Sequence, residues 1–251
     1  MIDEPFAEGS SFLHRADPRA KLALAVALAC TLAVCTGWRG PVLGLCAGMV
    51  LVVWARLRWR PFWRRMLTIN GFVAFLWVFL PFTTPGEPLA RFGPLDITAQ
   101  GIAASLLISL KTNAISLCFL SLVATSDAAS LGQAMHRLHV PDKLVFLFLF
   151  TYRFIHVIND ERLRLSTAAR LRGFRPRSDA HTYRTLASLL AMVLVGAMRR
   201  AEVTRRAMLL RGFSGVFATM RTFRMGNKER CFLAGGAALT AFIAFLEVLG
   251  V

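Results

Sequence analysis

The sequence predicts an all-α, polytopic membrane protein with about five transmembrane helices and long amphipathic helices on the cytoplasmic side. Apolar residues make up 56% of the 251 residues and include 20 Phe, whereas soluble domains contain about 45–50% apolar residues. These residues are concentrated in separate runs with the length of a membrane span. A long, strongly basic region between two of the runs shows the apolar spacing of amphipathic helices.

Five apolar segments have lengths close to the ~17–25 residues that a helix needs to cross a bilayer. They are the segments 22–38, 41–55, 66–82, 101–124 and 231–250. The second is short and is expected to include flanking residues. The predicted organisation is therefore a membrane segment with four spans at 1–124, a cytoplasmic or interfacial helical region at 125–230, and a carboxyl-terminal transmembrane helix at 231–251.

The distribution of basic residues predicts the orientation in the membrane. Arg15, Arg19 and Lys21 precede the first span, and five arginines lie between residues 56 and 65, after the second span. The loops after the first and third spans contain few cations. Because cytoplasmic loops are enriched in Lys and Arg, the amino terminus is predicted to be cytoplasmic and the carboxyl terminus external. The acidic residues before the first span also argue against a cleaved signal peptide.

The formal net charge of +16 comes largely from the region after the fourth span, where residues 153–230 contain 17 Lys or Arg and 5 Asp or Glu. The apolar patches 144–152 and 186–198 in this region are too short to span a bilayer and predict amphipathic, interfacial helices. A shorter amphipathic helix is predicted between Ser126 and Pro141. Nucleic-acid binding is not expected, because nucleic-acid modules rarely contain long apolar runs.

Two copies of one tetrad, Leu171-Arg172-Gly173-Phe174 and Leu210-Arg211-Gly212-Phe213, stand 39 residues apart at the predicted ends of two basic helices. A glycine after the last helical residue and a preceding arginine are typical of a capped helix end. Capping explains one copy, but the repetition favours a docking function. Each guanidinium could bond a carboxylate in an acidic groove, with the following Phe as an apolar anchor, so two tips could engage two subunits.

Further motifs accompany the tetrads in a specific order: Leu13-His14-Arg15-Ala16-Asp17-Pro18-Arg19-Ala20-Lys21-Leu22, then Val140-Pro141-Asp142-Lys143-Leu144, and Tyr152-Arg153-Phe154 followed by Asp160-Glu161. In this combination most of the chain resembles the T component of energy-coupling factor (ECF) transporters, of the cobalt type called CbiQ. The pattern of that family at each tip is Ala-Arg-Gly, and this chain has Leu171 and Leu210 in place of the alanines.

The resemblance implies an energy-coupling subunit of an ECF-type ABC importer in the cytoplasmic (inner) membrane of a prokaryote. Its partners would be two cytoplasmic ATP-binding ATPase subunits, which receive the two tips, and a membrane substrate-binding S component. A cobalt-type S component can be accompanied by a small accessory membrane subunit. Cobalt or nickel uptake, and a link to cobalamin biosynthesis, follow from the same resemblance.

The residues themselves predict no catalysis and no cofactor in this chain. A Gly-rich phosphate-binding loop is absent, so ATP hydrolysis is assigned to partner subunits. The histidines and the five cysteines lack metal-ligand spacing. Two alternatives stay open: a T component of a vitamin-type ECF importer, and a stand-alone secondary transporter or channel. In the second alternative the polar residues within apolar segments, Lys111, Asn113 and Glu247, would line the path.

Overall fold

The structure, a computed structural model, describes residues 11–85, 88–92, 95–213 and 226–248. Most of these residues lie in helices, which confirms the all-α fold class. The described residues form two compact units, one within 135–213 and one made of residues up to 134 together with 226–248. Residues 249 and 250 of the fifth predicted span and the first ten residues, with their acidic side chains, lie outside the described residues. The predicted domain limits stay a prediction.

In chain order the helices are α1 (Phe12–Arg15), α2 (Pro18–Val34), α3 (Arg39–Ala55), α4 (Trp59–Thr83), α5 (Ala99–Leu122), α6 (Ala128–Arg137), α7 (Asp142–Leu171), α8 (Ala180–Leu210) and α9 (Asn227–Val248). Two short strands, β1 (Pro88–Phe92) and β2 (Leu95–Thr98), pair antiparallel between α4 and α5. This hairpin lies in the predicted external loop, for which the residue pattern yields no secondary-structure prediction.

Three helices in the described part of the chain are long and apolar enough to cross a membrane: α4, α5 and the segment Glu229–Glu247 of α9. They coincide with the third, fourth and fifth predicted spans. The apolar helix α3 has 17 residues, which agrees with the short second span. The first span was predicted to reach residue 38, but α2 ends at Val34, where the backbone turns extended at Cys35.

The core of the larger unit surrounds α5, which packs against α2, α3 and α4, while α9 packs against α2 and α3. Small residues permit the close approach of these helices. A Cβ at Gly44 would lie 2.5 Å from a methyl of Leu32, and a Cβ at Gly48 would lie 2.8 Å from Leu117. Small residues in a span can face either another subunit or the chain itself, and both glycines face the chain's own helices.

The amino-terminal motif is part of this core. Asp17 caps α2, since its Oδ1 accepts a hydrogen bond from the backbone N–H of Arg19 at 2.9 Å. The side chain of Lys21 is fully buried, and its Nζ donates to the carbonyl of Leu13 at 2.8 Å and to Oγ1 of Thr125 at 3.5 Å. Lys21 therefore connects the first helix to the chain segment that follows α5.

Replacing Gly236 with Ala is expected to destabilise the contact between α2 and α9. The new Cβ would lie 1.7 Å from Cδ1 and 2.8 Å from Cγ of the buried Leu24, and such overpacking costs about 1–3 kcal/mol. The melting temperature of the purified protein in detergent should fall. Gly235→Ala is the matched control, because its Cβ would meet no atom within 4 Å. Equal melting temperatures for the two variants would contradict this packing.

Candidate functional site

The two tetrads lie at the ends of α7 and α8, which have 30 and 31 residues and are the longest helices described. The apolar patch 144–152 and the basic stretch after Phe154 form one continuous helix, α7. The apolar spacing predicts two segments here, a patch at 144–152 and an amphipathic helix at 154–173. The apolar spacing predicts that the second long helix begins at about Tyr183, and α8 begins slightly earlier, at Ala180. Each helix therefore carries an apolar amino-terminal half and a basic carboxyl-terminal half.

The first tetrad forms a complete Schellman motif at the end of α7. Gly173 has a φ of +83°, in the left-handed region that glycine adopts without strain. Its N–H donates to the carbonyl of Arg170 at 3.0 Å, and the N–H of Phe174 donates to the carbonyl of Ala169 at 3.1 Å. These two bonds satisfy carbonyls that a helix end otherwise leaves unpaired.

The second tetrad repeats this geometry at the end of α8. Gly212 has a φ of +77°. Its N–H donates to the carbonyl of Leu209 at 3.0 Å, and the N–H of Phe213 donates to the carbonyl of Met208 at 3.0 Å. Because all four bonds use backbone groups, the capping itself engages none of the tetrad side chains.

The leucines of the tetrads are highly exposed. Leu171 is 84% exposed and Leu210 is 90% exposed, which are the two largest values among the large apolar side chains of the described residues. The guanidinium groups of Arg172 and Arg211 are also exposed and form no ion pair within the described part of the chain. Each tip thus presents a cation beside an uncovered apolar side chain.

The phenylalanines do not have the expected exposure. The ring of Phe213 is half-buried, and its centroid lies 5.5 Å from that of Phe146 near the start of α7. Phe146 stacks in turn on Phe150 at 5.3 Å. Phe174 is also half-buried. At the second tip the exposed apolar side chain is therefore Leu210, whereas the sequence analysis assigned the anchoring role to Phe213.

Two contacts show that α7 and α8 run antiparallel. Phe213, just after α8, contacts Phe146 at the amino-terminal end of α7, and Nη2 of Arg200 lies 2.6 Å from Oε2 of Glu161 in the middle of α7. The second tip therefore lies beside the start of α7, and the first tip lies at its end. At 1.5 Å per residue, the two arginines are separated by roughly 33 Å along α7, because each stands eleven residues from the contact between Glu161 and Arg200.

A spacing of four residues predicts two ion pairs, Asp160–Arg164 in α7 and Glu202–Arg206 in α8, and the described residues form one of them. Glu202 and Arg206 form the expected pair within α8. Asp160 and Arg164, also spaced for such a pair, form no ion pair among the described residues. The pair between Glu161 and Arg200 was missed, although the sequence contains a signal: Asp160-Glu161 and Arg199-Arg200 are oppositely charged and stand 39 residues apart, as the tetrads do.

The polar residues of the apolar segments have partners within the chain. The amides of Asn113 and Asn70 bond each other reciprocally, with both distances 3.0 Å. Each amide nitrogen also donates to a backbone carbonyl of its own helix. Lys111 Nζ donates to the carbonyl of Ala33 at 3.3 Å. These contacts join α4 to α5 and α5 to the end of α2.

Glu247, near the end of α9, binds the segment that connects α2 to α3. Its Oε1 accepts hydrogen bonds from the backbone N–H and Oγ1 of Thr36, the latter at 2.6 Å, and from the backbone N–H of Gly37 at 3.3 Å. The described residues contain no group of three or more His, Cys, Asp or Glu that could hold a metal ion. Handling of a substrate by another subunit stays a prediction.

Gly173→Ala and Gly212→Ala should each destabilise a helix end. A residue with a Cβ pays about 1–2 kcal/mol in the left-handed conformation, so exchange of the Phe174 or Phe213 amide hydrogen should accelerate about tenfold. Hydrogen exchange followed by mass spectrometry measures this change. Gly196→Ala, inside α8 and free of steric conflict, should leave exchange at the tips unchanged. Unaltered exchange in the tip variants would show that the motifs are not formed.

Comparison with known proteins finds relatives that match both the membrane helices and the helices that carry the tetrads. The sequence profile of the CbiQ family, described as cobalt transport protein, matches residues 9–222. The chain is 26% identical to the energy-coupling factor transporter transmembrane protein EcfT of Listeria innocua, over 98% of each chain. It is 24% identical to EcfT of Leuconostoc gelidum, over 97% of this chain and 95% of the relative.

A further relative carries the name of the family itself. The cobalt transport protein CbiQ of Rhodobacter capsulatus is 29% identical over 57% of this chain and 60% of its own length. The profile match covers most of the chain, including both tetrads and the amino-terminal motif. The chain therefore belongs to the CbiQ/EcfT family, the membrane-embedded T components of energy-coupling factor transporters.

Proposed function

We propose that this T component transmits ATP-driven motion from two cytoplasmic ATPase subunits to a membrane S component, and that Arg172 and Arg211 are its contacts with the ATPases. The observation that carries the proposal is the paired geometry of the tips. Two helix ends with the same backbone geometry each expose a guanidinium, which forms no ion pair among the described residues, next to a nearly fully exposed leucine. A surface with this chemistry fits an acidic groove with an apolar wall.

The chemistry of each contact follows from its two side chains. A guanidinium can donate two parallel hydrogen bonds to one carboxylate, which holds the tip in a single orientation. Burial of Leu171 or Leu210 in an apolar pocket adds binding energy beside this contact. The leucines thus take the anchoring role that the sequence analysis gave to the phenylalanines.

The distance between the tips bears on the number of partners. Separated by roughly 33 Å along α7, the two arginines cannot enter one groove. A pair of ATPase subunits related by two-fold symmetry offers two equivalent grooves, and the two tips have equivalent backbone geometry. Movement of one ATPase relative to the other would therefore change the force on the two helices.

Charge and family membership support a placement of the protein in the cell. Region 125–230 carries the coupling helices and is assigned to the cytoplasmic side, between the membrane segment 1–124 and the last span 231–251. The basic residues before the first span and after the second support a cytoplasmic amino terminus. We assign the protein to the cytoplasmic membrane of a prokaryote, where S component, ATPases and lipid would meet it.

The polar contacts inside the larger unit argue against a stand-alone transporter. Lys111, Asn113 and Glu247, the residues that would line its path, all bond other groups of the chain. Satisfied polar groups of this kind stabilise helix packing and do not by themselves form a path. Uptake by this chain alone in ATP-depleted vesicles would reverse this conclusion.

Arg172→Ala and Arg211→Ala should each weaken binding of the ATPase subunits about 30-fold, and the double variant should abolish ATP-dependent uptake. The reason is that the acidic partner group would be left buried without its cation, at a cost of at least about 2 kcal/mol. Affinity purification of the assembled complex and uptake in the same cells measure the two effects.

The matched controls for these variants remove the same charge elsewhere on the same helices. Arg164→Ala and Arg205→Ala alter exposed arginines away from the tips and should retain binding within about twofold, as expected for exposed charges. Arg172→Lys should remain impaired, because an ammonium lacks the bidentate geometry. Normal assembly and uptake in the double Ala variant would refute the assignment of the tips.

For the substrate we propose cobalt or nickel, in line with the name of the family profile and of the Rhodobacter capsulatus relative. Cells that express this chain with its ATPase and S partners should accumulate one of the two metals, and cells with the Arg172 and Arg211 double variant should not. Vitamin uptake without metal uptake would instead favour a general T component, as the name EcfT of other relatives suggests.

A further inference from the structure

The ion pair between Glu161 and Arg200 connects the two coupling helices at equivalent points. Glu161 stands eleven residues before Arg172, and Arg200 stands eleven residues before Arg211. The two members of the pair are consequently 39 residues apart, the same spacing as the tetrads. Measured from this contact, α7 and α8 extend by the same length, about 16 Å, to their respective tips.

The eleven-residue spacing also means that the ion-pair residue and the tip arginine of each helix lie on the same side of that helix. Eleven residues correspond to about three helical turns, so residues eleven apart lie on almost the same side of a helix. Glu161 faces α8, and Arg172 is attached on the corresponding side of α7. Arg200 and Arg211 have the same relation on α8. A rotation of either helix about its axis would separate the pair and turn the tip.

The contact is close and partly protected from solvent. Nη2 of Arg200 lies 2.6 Å from Oε2 of Glu161, and their side chains are 42% and 23% exposed. The pair Glu202–Arg206, by comparison, is 58% and 70% exposed and joins two residues of one helix. Of these two pairs, only Glu161–Arg200 can influence how one coupling helix lies against the other.

We infer that Glu161 and Arg200 are positioning residues that hold the crossing and rotation of the coupling helices, so that both tips reach the ATPase grooves together. The inference rests on the proposed function for its consequence in transport. Its structural content is independent of that function, because the pair exists within this chain. The neighbouring Asp160 and Arg199 carry the same charges but form no ion pair within the described part of the chain, so they provide matched controls.

The test measures the separation of the tips in the assembled complex. Spin labels on non-canonical residues at Thr167 and Ala207, both exposed, report the distance between the two helix ends by pulsed electron paramagnetic resonance. Glu161→Arg or Arg200→Glu should broaden this distance distribution and reduce ATP-dependent uptake at least about fivefold, the effect of losing about 1 kcal/mol. The exchanged double variant, Glu161→Arg with Arg200→Glu, should restore the narrow distribution and most of the uptake.

Asp160→Arg and Arg199→Glu reverse the same charges one residue away and should retain the native distance and uptake within about twofold. The neutral variants Glu161→Gln and Arg200→Gln give a second test if a reversal prevents folding. The inference is overturned if the single variants keep the native distance, or if the exchanged pair fails to restore it. If the ATPases do not bind the tips at all, the proposed function fails, while the distances measured in the T component alone still decide the role of the pair.

Discussion

The satisfaction of hydrogen bonds away from water is the constraint on which the rest of this structure depends. Inside a bilayer every backbone N–H and carbonyl must pair within the protein, so the spans are helices. The same constraint governs their polar side chains. Asn70 and Asn113 pair with each other and with their own helices, and Glu247 accepts hydrogen bonds at the turn after α2. Residues that look functional in the sequence are thus part of the packing.

The constraint also applies at the ends of the coupling helices, where it produces the repeated Arg-Gly step. The carbonyls at a helix end need hydrogen-bond donors. The left-handed conformation of the glycine brings its own N–H and that of the following phenylalanine to these carbonyls. Since backbone groups make all of these bonds, the arginine and leucine side chains remain exposed. Helix capping and partner docking are therefore not alternative explanations of the tetrads. Capping determines where each helix stops, and thereby where its guanidinium is presented.

The relation between the two tips is determined by contacts between the helices. Phe213 packs on Phe146, and Glu161 pairs with Arg200, so α7 and α8 run antiparallel and place the tips far apart. One phenylalanine of the repeat is used for this internal contact, which leaves the leucine as the exposed apolar group. A repeat in the sequence consequently gives two ends with the same backbone geometry but different side-chain surroundings.

The sequence by itself determined the class of the protein, most of its spans and the position of both helix ends, because apolar length, basic flanks and glycine act locally along the chain. It also contained the two oppositely charged dipeptides 39 residues apart. Only the tertiary structure decided which of those charges meet, that Lys21 is buried between α1 and the segment after α5, and that Gly44 and Gly48 face the chain's own helices. These outcomes depend on the rotation and register of one helix against another. Periodicity along a single helix does not specify that relation, because two amphipathic helices can bury their apolar faces at several different crossing angles and registers.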